Sequence, residues 1–73
     1  MNRTDVLTGR IVQRVLDARA SSSSKVTIFH GVEISHKTDE LIDNLFVFFP
    51  NSSITFKKLK YGYELKIEVD FKV

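Results

Sequence analysis

His30 and His36 are the two histidines of this 73-residue chain, which has no cysteine. They are the side chains best suited to proton transfer or metal ligation near neutral pH. Zinc takes three or four ligands from histidine, cysteine or carboxylate. Neither histidine has a third ligand at a matching spacing, so no metal and no cofactor is expected. Ser35, His36 and Asp39 supply the residue types of a nucleophilic triad, but three such close neighbours rarely present the geometry that nucleophilic catalysis needs. Asp39, Glu40 and Asp43 have the composition of a cation cluster. Placed on the first turns of a helix, they read as a solvated face matched to the positive end of the dipole. Gly9, Gly31 and Gly62 stand alone, without a dinucleotide fingerprint or a phosphate loop. Asn2-Arg3-Thr4 and Asn51-Ser52-Ser53 match the glycosylation acceptor pattern, a chance match where no secretion signal is read. A core this small can scarcely enclose a water-excluding pocket. No catalytic residue is assigned, and the chain is read as not an enzyme.

The remaining chemistry is cationic or apolar. On a helical reading of the N-terminal region, Arg3, Arg10 and Arg14 fall within roughly 40° of one another, with Asp17 three residues beyond Arg14 to offset them. Lys57, Lys58 and Lys60 surround a loop that carries Tyr61. A basic, aromatic hairpin tip suits a phosphate backbone and a stacked base, whereas lysines on a hairpin edge also serve simply to prevent aggregation. Residues 1–37 hold six basic and three acidic side chains, and residues 38–73 hold five and six, so the halves carry +3 and −1 and the whole +2. That is less charge than nucleic-acid binding domains usually cluster. Weak, non-specific nucleic-acid binding is therefore the alternative function, not the first.

These residues need elements to position them. Residues 4–20 read as a helix, because Leu7, Ile11, Val15 and Ala18 form one stripe that Val12 and Leu16 widen. Thr4 suits the N-cap and Asp5 the first turn, while Gly9 costs about 1 kcal/mol against alanine inside the helix. Dense valine and isoleucine make two strands the rival reading. Ser21–Ser24 is a connector. Residues 25–35 read as one bent strand, with Val26, Ile28, Val32 and Ile34 on one face and His30 among them. A hairpin turning at His30–Gly31 would break that parity. Residues 38–49 switch to helical spacing, with Leu41, Leu45, Phe48 and Phe49 on one stripe and Pro50 as the stop; residues 45–49 also admit a strand.

The last segment is the clearest. Tyr63, Leu65, Ile67, Val69, Phe71 and Val73 alternate with Glu64, Lys66, Glu68, Asp70 and Lys72, which describes a strand with one buried and one wet face. Residues 53–58 pair with it through the loop Leu59–Gly62. That register sets Phe56 opposite Leu65, Ile54 opposite Ile67 and Lys57 against Glu64.

The expected architecture is a small α+β domain spanning residues 1–73, in the order α-β-α-β-β, with helices on one face of an antiparallel sheet. A small all-β open barrel is the alternative if residues 4–20 form strands. The apolar fraction of 42% is too high for a disordered chain. No apolar run approaches the ~18 residues of a membrane span. MNRTDVLTGR lacks the apolar core of a signal peptide, so a cytoplasmic location is expected. The preferred function is a protein-interaction module, an inhibitor or adaptor, of a size frequent in phage and mobile-element genomes. Surplus apolar surface in Phe46, Phe48, Phe49, Phe71 and Val73 supports it. An eleven-residue last strand would be about as long as the whole domain, roughly 36 Å, and residues 69–73 extend beyond its pairing with 53–58. The strand at 25–35 can flank the same central strand, which still leaves one edge open. Val69, Phe71 and Val73 are accordingly the expected contact with a protein partner or with a second copy in a homodimer.

Overall fold

A computed structural model describes residues 3–21, 24–33 and 37–71. Helix α1 (Arg3–Ser21), strand β1 (Lys25–Val32), helix α2 (Thr38–Phe48) and strands β2 (Ser52–Lys58) and β3 (Tyr63–Asp70) follow in the expected order. The strands form one antiparallel sheet in the order β1-β3-β2. It is not closed into a barrel, and residues 4–20 are helical rather than two strands. Among the described residues no helix is long and apolar enough to cross a membrane.

The core is where the two periodicities meet. Leu7, Ile11 and Val15 from α1 and Leu41 and Leu45 from α2 pack in one cluster with Val26, Val32, Leu65, Ile67 and Val69 of the sheet. Val12 and Ala18 lie at its margin. Leu16 does not widen the buried stripe: it is 43% exposed, because nine residues at 100° each carry it half a turn from Leu7. Nor does Thr4 cap α1. The helix begins at Arg3, and Thr4 is buried with its carbonyl accepting the Thr8 hydroxyl at 2.7 Å. Asn44 of α2 donates to that hydroxyl at 3.3 Å, which ties the two helices together.

β1 is one strand without a turn at His30–Gly31. Among the described residues only Gly62 has a positive φ, +97°. Its place in the β2–β3 loop demands glycine on a second count, since a Cβ there would lie 2.5 Å from the Val32 carbonyl oxygen. The β2–β3 register is the expected one, Phe56↔Leu65, Ile54↔Ile67 and Lys57↔Glu64. On the wet face the ion pairs run instead from Glu68 to Lys66 at 2.9 Å and to Lys25 at 3.7 Å.

The C-terminal strand departs from expectation in length. β3 spans eight residues, about 26 Å at 3.3 Å each, and fits a molecule of 34 × 27 × 17 Å. Both neighbours reach its end. The Asp70 amide donates to Asn51 O at 3.2 Å on the β2 side, and the Phe71 amide to Ser24 O at 2.7 Å on the β1 side. The stretch from Val69 to Phe71 therefore has its backbone partners within the chain. Ile34, Ser35, His36, Lys72, Val73 and the middle of the serine connector lie outside the described residues.

Candidate functional site

The end of α2 brings three neighbouring apolar side chains to solvent. Pro50 forbids a further helical turn. The Phe49 amide closes the helix on Leu45 O at 2.8 Å, and the backbone then leaves the helix at φ −132°. That exit turns Phe49 inward, where it is 5% exposed, and leaves Phe48 57% exposed. The stripe expected through both phenylalanines thus resolves into one core residue and one surface residue. Phe46 is partly exposed and Val47 is 80% exposed, since Val47 sits 200° round the helix from Leu45. Val47 is a surface residue that the reading of the sequence did not single out. The 100° rule applied to each residue, not only to the stripe, would have found it.

Two shallow grooves, each of about 280 Å³, flank this turn. One lies between the helices and is lined by Asp5, Thr8, Gly9, Asn44, Val47 and Phe48. No atom approaches the space a Cβ at Gly9 would take. The other groove runs past Phe48 and Phe49 to Val69 and Phe71. There Phe71 meets Phe49 edge to face at 6.0 Å, and the Arg19 guanidinium covers the Phe71 ring at 4.2 Å, a cation–π geometry.

Of the expected partner-contact residues, Val69 is 2% exposed and belongs to the core. Phe71 is half-buried at the core's margin, and Val73 lies outside the described residues. The three arginines of the expected strip, all on α1, have different surroundings. Arg3 lies 3.9 Å from Glu33, and Arg10 is exposed. Arg14 donates to the Phe29 carbonyl and to His30 Nδ1, each at 2.8 Å. Asp17 accepts from Gln13 rather than offsetting Arg14. Lys57, Lys58 and Lys60 are all exposed, at the end of β2 and in the loop that carries Tyr61, itself 84% exposed. Lys60 Nζ stands 5.6 Å over the Tyr61 ring.

His30 is half-buried, and its Nδ1 lone pair is directed at a cation, an arrangement that competes with metal ligation. Among the described residues no three histidine or carboxylate side chains group as metal ligands. The described surface presents an aromatic helix end, a sheet edge at β2 and a basic loop. No family model, no curated protein and no solved structure matches this chain.

Proposed function

We propose that this chain is a small non-enzymatic protein-interaction module, an inhibitor or adaptor, that binds a partner protein through the end of α2. The observation that carries the reading is the run Phe46, Val47 and Phe48, three consecutive large apolar side chains that all reach solvent. Single exposed apolar residues are ordinary, but contiguous patches mark interaction sites. The adjoining groove at Gly9 gives a partner's side chain somewhere to enter. The test is capture from lysate, treated with nuclease, by the wild-type chain and by Val47→Lys/Phe48→Ser. Both substitutions fall on exposed side chains, so the melting curve should hold. Proteins retained by the wild type should be lost by the variant; capture of the same set by both would overturn the reading.

A second reading has its own observation. Tyr61 stands out among three lysines at the β2–β3 tip, the combination of stacking surface and phosphate contacts that single strands use. If the tip binds nucleic acid, replacing Lys57, Lys58 and Lys60 together lowers the slope of log affinity against log salt by up to about three.

A further inference from the structure

The hydrogen-bond directions in the sheet show which backbone groups each outer strand turns outward. Asp70 donates to Asn51 O and Leu59 donates to Gly62 O, so Asn51 and Leu59 point their backbone groups at β3. Antiparallel ladders alternate, and in this register Ser53, Thr55 and Lys57 do the same. The backbone groups of Ser52, Ile54, Phe56 and Lys58 therefore face away from β3, along an edge where β2 ends the sheet. The same alternation on β1 turns Lys25, Thr27, Phe29 and Gly31 outward, because the Phe71 amide bonds Ser24 O. There Arg14 already occupies the Phe29 carbonyl. The two edges are not equivalent: the Arg14 bond interrupts the β1 edge at Phe29, and the uninterrupted edge is β2.

We propose that the β2 edge pairs with β2 of a second copy of this chain, antiparallel, about a two-fold axis at Thr55. Three observations favour that occupant. First, the strand is self-complementary in register: with Thr55 opposite Thr55, Ile54 faces Phe56 and Ser52 faces Lys58, so every outward residue meets an outward residue over the full length of β2. A shift of two residues either way keeps the ladder but shortens it. Second, the strand carries both its charges at one end. An antiparallel pair sets Lys57 and Lys58 against Ser53 and Ser52, whereas a parallel pair would set lysine against lysine. Third, Ile54 and Phe56 are only partly covered within the chain. The pairing places each beside the other's copy on the helix-bearing face, and it joins two three-stranded sheets into one of six strands, a common size.

This inference concerns a different surface from the end of α2. The Val47→Lys/Phe48→Ser chain should associate like the wild type, so either proposal can fail alone. The side chain of Thr55 is exposed, and its replacement leaves the core untouched. Light scattering at high micromolar concentration should give twice the mass of one chain for the wild type. Thr55→Lys and Thr55→Glu should each be monomeric alone, and an equimolar mixture should regain the dimer, because opposite charges then meet at the axis. A second measurement uses the absence of cysteine from the chain. Thr55 would be a non-hydrogen-bonded pair across the axis, with Cα atoms about 4.5 Å apart, a separation a disulfide can bridge. Under mild oxidation Thr55→Cys should form a covalent dimer, and Thr27→Cys on the β1 edge should not. A monomeric wild type, a dimer indifferent to both charges at position 55, or equal cross-linking from positions 27 and 55 would overturn the proposal.

Discussion

β1 and β2 flank the same strand with the same antiparallel geometry, and their outer sides have different fates. β1 lies under α1, with Val26 and Val32 buried. Its outer carbonyl at Phe29 is taken by Arg14, and its C-terminal end is met by the Gly62 loop. β2 packs chiefly on β3, and none of its residues is fully buried. An edge with unsatisfied backbone groups is a template for another strand, and proteins commonly cover or charge such edges. Here one edge has a central carbonyl taken by the chain's own arginine, and the other carries only two lysines at one end. The difference teaches that the two helices shield the flanks of a three-stranded sheet unevenly, and that unevenness is what the proposed pairing at β2 rests on.

The strongest way to break the comparison is to remove what both flanks share. Ile67 is fully buried and pairs with Ile28 of β1 and with Ile54 of β2. In Ile67→Asp an unpaired carboxylate enters the core at a cost of several kcal/mol, comparable with the whole stability of a domain this size. Circular dichroism should show no cooperative melt. Glu68→Ser, one residue along on the wet face, should melt almost as the wild type does. Comparable losses from both would mean that the two faces of β3 are not the buried and wet faces described.

Gly62→Ala tests the covered side. The substitution strains a φ of +97° and drives a Cβ into the Val32 carbonyl, for a loss of roughly 1–3 kcal/mol. Because the clash is with β1, amide hydrogen exchange should rise at the Val32 end of β1 as well as in the loop. An unchanged melting midpoint would show that the loop does not bear on β1.

Much of this arrangement was legible in the residues, for reasons that differ by element. The alternation from Tyr63 onward and the glycine at position 62 determine face and loop together, so the register with β2 followed. Leu7, Ile11 and Val15 marked the buried side of α1 because their spacing matches the helical repeat. Local patterns could not decide between Phe48 and Phe49, since the helix stops between them and the exit angle of the chain chooses the inward ring. Nor could they reveal that Arg14 reaches a carbonyl fifteen residues away, a contact that exists only once α1 lies on β1. An alternation of eleven residues leaves Val69 near an unpaired strand end. The bonds that Asp70 and Phe71 donate to Asn51 O and Ser24 O are long-range pairings that no alternation encodes.

Arg14→Ala tests whether the covering of the β1 edge matters. The two bonds are exposed to water, which holds their joint worth to about 1 kcal/mol, so the midpoint should fall by a few degrees. The larger expected change is qualitative: the Phe29 carbonyl opens, and the variant should associate through β1 as well as β2. The double variant Arg14→Ala/Thr55→Lys separates the two edges, because association that survives in it runs through β1. Lys58→Ala on the other edge should leave the melt unchanged. If Arg14→Ala neither melts earlier nor gains association, the arginine does not protect that edge.

The smallest effect expected comes from Glu68, whose partners lie on β3 and β1 but not on β2. Its carboxylate accepts a hydrogen bond from Lys66 Nζ, and the charges of Lys66 and then Lys25 add to that bond. Together they outweigh the opposing contribution from burial, which exceeds that of the Lys25 charge, and hold its pKa below the ordinary value of 4.5. As pH falls, the unfolded chain therefore takes up this proton before the folded one does. The stabilisation is complete above that ordinary value and is lost as pH drops through the lower value of the folded state. Glu68→Gln should lower the midpoint slightly at neutral pH and match the wild type in strong acid, so the two curves converge as pH falls. Lys66→Met should remove most of this dependence and Lys25→Met a smaller part. Ser53→Ala, at the position opposite Glu68 on β2, should remove none. A dependence that Ser53→Ala abolishes and Lys25→Met spares would place the electrostatic support of β3 on the open side of the sheet.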